Sequence, residues 1–334
     1  MCPGSIIFCW NMNRRIYLFK NGALHRSANT LRFVFREGKK TIPVEQVHEI
    51  FVFGEVRFTR KVLEFLMLKG IVVHLFSHGG HYIGSFLPLR RKGDSYYLVK
   101  QVQKYIDESE RLNLARSFVR GAINNMVSVL RSRKVPYGSL SRLASNLDHV
   151  EDIPALMSIE GEAWETYYML WNRIIGDEFF RFEGRKRRPP ADPINAMIGF
   201  GNALLYSLLI GYLFRVGLDP RIGYLHSVKR RVFVLNLDMA EIFKPIIVNR
   251  VIFNLINRGS IGEEHFVRRG KGVYLNGEGR KVFIRAFEEI LRTKFRINRE
   301  RSMTFHGFIK WECERLKSAI MNDEPYEPVR LEVQ

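Results

Sequence analysis

Pro88-Leu89-Arg90-Arg91-Lys92-Gly93-Asp94 divides this chain into two regions of different periodicity. The stretch is short, basic and rich in residues that break regular structure, the composition of a linker. Before it, apolar residues come in short strand-like runs. Arg15-Ile16-Tyr17-Leu18-Phe19 precedes Asn21-Gly22, a dipeptide that favours hairpins. Leu31-Arg32-Phe33-Val34-Phe35 alternates and stops at Glu37-Gly38. Ile50-Phe51-Val52-Phe53 stops at Gly54. Ile71-Val72-Val73-His74-Leu75-Phe76 reads as a buried strand, and His78-Gly79-Gly80 turns it into Tyr82-Ile83-Gly84-Ser85-Phe86. One amphipathic helix interrupts them. It opens at Thr59, carries Val62, Leu63, Leu66 and Met67 on one face, and closes at Gly70.

After the linker the apolar spacing is helical. It predicts helices over 98–132, 139–147, 155–176, 193–216, 236–257, 278–294 and 302–321, with Asp192-Pro193 as a cap and first-turn proline. The fold class is therefore α+β. A small N-terminal β-rich, β-sandwich-like domain with one helix is expected over 1–90, a linker over 91–97, and a larger all-α domain over 98–334.

The composition of the 334 residues narrows the function. Lys and Arg number 53 against 34 acidic residues, a net charge of +19. Such an excess attracts polyanions, with nucleic acid first. The hydrophobic fraction of 46% is that of a globular protein. Cys2, Cys9 and Cys313 have no zinc-site or redox spacing. So sparse a set suits a reducing cytoplasm. The uncharged run Ala203 to Phe214 is too short to span a bilayer, so no membrane partner is expected.

Against this basic background, a few buried-looking acidic residues stand out. Glu160 lies on an apolar helix among Leu156, Ile159, Tyr167 and Leu170, where it must be exposed, paired or bound to metal. Gly161 beside it weakens the helix and suggests close approach by another backbone or a ligand. His226 follows the turn-rich Gly217-Leu218-Asp219-Pro220 and Gly223-Tyr224-Leu225. Asp238 and Glu241 share one face of a helix that Leu235, Leu237, Ile242 and Phe243 mark as buried. Two like charges there repel unless a cation intervenes. Each residue alone is more simply a structural group. Together, two or three carboxylates with one imidazole suit a hard divalent ion, Mg2+ or Mn2+, better than zinc. A carboxylate site in a basic protein is the composition of an enzyme that cuts or joins nucleic acid.

Candidate phosphate binders flank these residues: Arg185, Lys186, Arg187 and Arg188 before Pro189-Pro190, Lys229, Arg230 and Arg231 after the histidine, and Lys244 after Glu241. No phosphate-binding glycine loop, nucleophile elbow or cysteine–histidine signature is present.

Four ordered motifs resemble those of a known family. They are Ser158-Ile159-Glu160-Gly161, Arg187-Arg188-Pro189-Pro190-Ala191-Asp192-Pro193-Ile194-Asn195-Ala196, Gly217-Leu218-Asp219-Pro220-Arg221-Ile222-Gly223-Tyr224-Leu225-His226, and Leu237-Asp238-Met239-Ala240-Glu241-Ile242-Phe243-Lys244-Pro245. Their order and register resemble the CRISPR-associated integrase of spacer acquisition, the Cas-one family, over nearly the whole chain. The resemblance implies a β-domain, an all-helical catalytic domain and a homodimer. It also implies a metal-dependent DNA endonuclease that inserts double-stranded fragments at CRISPR repeats beside the small second Cas protein. By motif position, Glu160, His226 and Glu241 would hold the metal, with Asp238 an acidic catalytic neighbour. Glu241 departs from the family, which often carries aspartate there. Two other readings of the residues stay open: a repair or transposition nuclease, and a basic nucleic-acid-binding scaffold without catalysis.

Overall fold

A computed structural model of the chain describes residues 9–12, 15–89, 94–186, 189–229, 231–297 and 302–331. Two segments in it run side by side through two sheets. The first consists of strands β2 (Arg15–Leu18) and β3 (Gly22–Ser27), the second of β6 (Glu49–Val52) and β7 (Val56–Phe58). β2 pairs parallel with β6, and β3 pairs parallel with β7. The remaining strands are β1 (Cys9–Met12), β4 (Thr30–Phe35), β5 (Gly38–Pro43), β8 (Val72–Phe76) and β9 (Tyr82–Phe86). They give a five-stranded sheet, β1-β2-β6-β8-β9, and a four-stranded sheet, β5-β4-β3-β7.

Asn21-Gly22 therefore makes no hairpin. It lies where the chain passes from one sheet to the other. The Asn21 side chain accepts from Glu55 N at 2.8 Å, and Gly22 N donates to Glu55 O at 2.9 Å. A side chain at Gly22 would meet the Val34 carbonyl at 2.4 Å, so close backbone approach, not turn geometry, requires glycine there. The hairpins fall elsewhere, at 27–30 and 35–38. Helix α1 (Arg60–Leu68) is capped by Thr59. Its Val62, Phe65 and Leu66 join Ile16, Leu31, Phe33, Ile50 and Val73 in one apolar cluster. The opposite face of the five-stranded sheet is also buried within the single chain, at Tyr17, Phe51, Phe53, His74 and Phe76. These strands do not require a second molecule to cover them. The exposed apolar residues of this unit include Ile83 and Phe86, on the edge strand β9.

The chain divides into two compact units, 1–91 and 92–334. Residues 91–93 of the expected linker lie outside the described residues, and helix α2 (Asp94–Ile106) begins where the linker was expected to continue. The single helix expected over 98–132 is two. Asp107 accepts from Glu110 N at 3.0 Å and starts α3 (Glu108–Ser132) as a new helix. Then come α4 (Gly138–Asn146), α5 (Ile153–Met169), α6 (Pro193–Val216), α7 (Leu235–Phe243) and α8 (Arg250–Asn257). α5 stops at Met169, seven residues before its expected end, and passes into a short 3-10 turn at Trp171–Arg173.

The second unit is mostly helical, not all helical. It contains two hairpins that helical periodicity concealed. One is β10 (Phe266–Arg269) with β11 (Gly272–Leu275), and α9 (Gly277–Arg292) follows it. The other is β12 (Lys294–Arg296) with β13 (Ser302–Thr304), which leads into α10 (Phe305–Asn322). Strands of three or four residues are too short to show alternation against neighbouring helices.

Helix α6 is the core of this unit. Asp192 caps it, Pro193 opens it and Gly217 ends it in the left-handed region at φ 90°. The run 203–214 is only part of this helix. All 24 residues together are long and apolar enough to cross a bilayer, but 72% of the most apolar window is buried inside the protein. Gly201 lets α6 touch its neighbours. A side chain there would meet Val248 Cγ1 at 2.6 Å and Phe283 Cζ at 2.8 Å. At Gly161 a side chain would meet open space, so no other backbone approaches it.

These two glycines should respond oppositely to alanine. Gly201→Ala should destabilise by about 1–3 kcal/mol through overpacking. Gly161→Ala should stabilise by up to about 1 kcal/mol through helix propensity. Urea midpoints of the two variants check both signs.

Candidate functional site

The site is organised by a carboxylate that no solvent reaches. Asp238, in the first turns of α7, is 0% exposed. Its Oδ2 accepts from Tyr224 N at 2.6 Å and Leu225 N at 3.1 Å. Its Oδ1 accepts from His226 N at 3.1 Å and meets His226 Nδ1 at 2.7 Å. One side chain thus holds the whole histidine turn. Gly223 makes the approach possible, because a side chain there would lie 2.7 Å from Asp238 Oδ2 and 2.9 Å from the Val234 carbonyl carbon. The loop is fixed further by Val234 N and Leu235 N, which donate to Pro220 O at 2.8 and 3.0 Å. Arg111 Nε donates to Tyr224 O at 3.0 Å.

With Nδ1 turned to Asp238, the other ring nitrogen faces Glu241. His226 Nε2 lies 4.0 Å from Glu241 Oε1. Glu241 is one turn beyond Asp238 and only 1% exposed. Trp164 Nε1 donates to its Oε2 at 2.9 Å, and Lys244 Nζ donates to its Oε1. The Lys244 ammonium also faces the Trp164 and Tyr206 rings, at 5.4 and 5.5 Å. A cation does offset one of the like charges of α7: Lys244, one turn further on, pairs with Glu241, and the His226 ring lies between Glu241 and Asp238.

The electrostatics follow from these contacts. Burial opposes the charge on Glu241, but Lys244, His226 and the Trp164 hydrogen bond outweigh it and hold the carboxyl below its ordinary value. Burial also opposes the charge on Lys244, yet Glu241, Tyr206 and Glu160 together raise it above the usual lysine range. For His226, burial is outweighed by the Asp238 hydrogen bond and charge, so its pKa is raised.

Glu160 is half-buried in the middle of α5, four residues before Trp164 and therefore on the same helix face. Its charge reaches Lys244. Among the described residues, no three His, Cys, Asp or Glu side chains already converge as a metal cage. His226 and Glu241 do come together. The donor set of one imidazole and two carboxylates fits a hard divalent ion. The His226 orientation fits as well, because a metal-binding histidine commonly gives its other N–H to a carboxylate. Asp238 has that supporting position: its oxygens are taken up by the loop.

The basic residues fall into three groups. Arg185 is turned inward, its Nη1 donating to Asn195 Oδ1 at 2.7 Å, and Lys186 N donates to the same oxygen at 2.8 Å. Asn195 Nδ2 returns bonds to Gly184 O and Asp192 Oδ2. This clasp ties the basic loop to the start of α6. The side chains of Lys186, Lys229 and Arg231 are exposed. Arg187, Arg188 and Arg230 lie outside the described residues. Sequence reasoning missed Trp164. The spacing of four from Glu160 was the available signal.

Known proteins match this chain over most of its length. The model of the family described as CRISPR associated protein Cas1 matches residues 16–289. A protein of Thermotoga maritima named CRISPR-associated endonuclease Cas1 is 40% identical over 312 residues, which is 93% of this chain and 98% of that protein. A solved structure of a Cas1 protein from Thermotoga maritima superposes with a TM-score of 0.86 at 39% identity, covering 95% of this chain and 99% of that one. A casposase bound to an integration product shares the fold at a TM-score of 0.86 and 19% identity, over 96% of this chain and 94% of that one.

The Asp238–His226 contact predicts a pH dependence. A histidine whose folded pKa lies above its unfolded one adds stability that is complete below about pH 6.5 and lost as pH rises through the raised value. Asp238→Asn should remove that increment and lower the His226 pKa. An NMR titration of the imidazole checks the direction, and an unmoved His226 pKa would detach it from Asp238.

Proposed function

The chain belongs to the CRISPR-associated protein Cas1 family, and from that membership and the site geometry we propose that it is a metal-dependent DNA endonuclease that integrates DNA fragments into a CRISPR array. The observation that supports this most directly is the Asp238–His226–Glu241 arrangement, in which a fixed imidazole presents Nε2 beside a buried carboxylate. Glu160, His226 and Glu241 would hold Mg2+ or Mn2+. When bound, the ion supplies neutralisation of the phosphodiester and of the leaving oxygen, and activation of the attacking one.

The protein's own groups prepare that chemistry. Asp238 accepts a hydrogen bond from Nδ1–H and so keeps the Nε2 lone pair directed at the site. Trp164 fixes the rotamer of Glu241 through its indole N–H. Lys244 balances the Glu241 charge and is placed to offer an N–H donor to a phosphate oxygen beside it. The reaction is a direct transesterification. A DNA 3′-hydroxyl oxygen forms a bond to phosphorus as the bond to the 3′ oxygen of the repeat breaks. The attacking proton leaves to water, and the departing oxygen gains one. Water in place of the hydroxyl gives cleavage.

The exposed Lys186, Lys229 and Arg231 serve as phosphate contacts in this reading, with Arg187, Arg188 and Arg230 beside them in sequence. The partners are duplex DNA and the small second Cas protein, in the cytoplasm. A homodimer through the N-terminal unit completes the proposal. Its motive in this chain is the exposed Ile83 and Phe86 on the edge strand, a surface that strand-edge pairing would cover.

The test is an integration assay with the purified protein, its small partner, a fragment duplex and a supercoiled array plasmid. Glu160→Ala, His226→Ala and Glu241→Ala should each lower metal-dependent cleavage and integration by more than the roughly 10–100-fold that loss of an outer-shell partner costs, with helical circular dichroism unchanged. A variant with near-wild-type activity would remove its residue from the site.

For the dimer, light scattering of the full chain should give twice the monomer mass, and Ile83→Lys with Phe86→Lys should return it to monomer. A full-chain dimer that survives both changes would place the interface elsewhere.

A further inference from the structure

A second concentration of positive charge lies away from the candidate site. A cleft of about 490 Å³ is lined by Arg133, Arg173, Arg250 and Arg258, with Ser132, Asn254, Val129 and Ile174. The arginines are scattered over 125 positions of the sequence and come together from the end of α3, the turn after α5, and α8. No carboxylate lines the cleft. Among the described residues none of the four arginines has an ion-pair partner.

This arrangement costs stability in the free protein. Burial lowers the pKa of both Arg133 and Arg250, and the charge of Arg133 lowers that of Arg250 further. Both are held in place nonetheless. Arg133 stacks over Phe253 at 5.2 Å and donates to Asn254 Oδ1 at 3.3 Å. Arg250 lies over Phe305 at 5.8 Å. Arg173 and Arg258 are exposed at the mouth. Four converging guanidinium groups without a counter-charge form a site for an external anion.

We propose that this cleft grips the phosphate backbone of a nucleic-acid strand at a distance from the candidate metal centre. This rests on the reading of the chain as a DNA enzyme. The lining supports backbone and not base recognition: it offers guanidinium, hydroxyl and amide groups, and no aromatic face for stacking. The cleft is open to solvent, with Arg173 and Arg258 exposed. Two stretches of chain lead to it from the site. At a rise of ~1.5 Å per residue, Glu160 to the end of α5 at Met169 spans roughly 14 Å, with Arg173 in the turn beyond, and Glu241 to Arg250 spans at most roughly 14 Å along α7, a widened turn and the start of α8. That length corresponds to about four base pairs of duplex. The cleft would hold flanking DNA in register while the site acts on one phosphodiester, and its contacts would be independent of sequence.

The experiment measures affinity for a 20-base-pair duplex of random sequence in EDTA, from 50 to 200 mM salt. The full-length wild type is compared with R173Q/R258Q, R173K/R258K and a control pair, R142Q/K310Q, which changes exposed charges outside the cleft. All are first checked by thermal melting. Each lost contact should reduce the slope of log affinity against log salt by about 0.9. The glutamine pair should therefore reduce it by about 1.8, so that the wild-type advantage shrinks about tenfold across this salt range. The lysine pair should restore the slope, and the control should leave it unchanged. An unchanged slope in R173Q/R258Q overturns the proposal, as does an equal fall in the control. Calorimetry with inorganic phosphate supplies another arm. Phosphate binding that depends on these arginines, with the duplex slope unmoved, would assign the cleft to a small anion instead. A wild type that binds no duplex would overturn the functional reading itself, whatever the variants do.

Discussion

The buried carboxylate of Asp238 fixes most of what surrounds it. Three backbone N–H groups and one imidazole converge on its two oxygens. An ionised group without solvent would be costly by itself, and these donors are what make its burial tolerable. In return it sets the path of residues 223–226, the rotamer of His226, and the direction of the remaining nitrogen. The glycine at 223, the cap of the loop on Pro220 and the position of Arg111 all serve that one contact. Glu241 can then be held by different partners, Trp164 and Lys244, because Asp238 already occupies the loop side of the helix.

Much of the architecture can be read from the sequence, and the failures have specific causes. The change of period near residue 90 separates a β-rich region from a mostly helical one, because strand and helix periods differ enough to survive local noise. Asn21-Gly22 misleads because its local turn preference is overridden by the pairing of two longer segments. Asp107 ends one helix and starts another through a single side-chain bond, while the apolar spacing runs on across it. The short hairpins of the second unit lack the length to register any period.

The site shows the same division. Residue type and spacing place Asp238 and Glu241 on one helix face, and the turn-rich entry places His226 on a loop. Neither indicates that Asp238 is consumed in holding the loop, or that Lys244 pairs with Glu241. Trp164 is overlooked because an aromatic on an apolar helix is ordinarily core, and its spacing from Glu160 is the only hint. The arginine cleft is hidden for another reason. Its four members are far apart in sequence, and each alone looks like a solvated surface charge.

One irregularity gives the long α7–α8 helix a fixed phase. Pro245 has no N–H to give to Glu241 O, and the helix widens into a π turn over Pro245–Asn249, with Asn249 N donating to Lys244 O at 3.0 Å. The wider turn takes up one residue more than an α turn would. Shortening the segment by one residue would let an ordinary α turn form with every neighbouring side chain kept. It would leave Arg250 and Asn254 in nearly their present phase relative to Glu241, because the residue removed is the one the wider turn absorbs. The π turn therefore works as an angular correction between the carboxylate end of the rod and its arginine end: the same residues wound as an unbroken α-helix would turn one end about 100° away from the other.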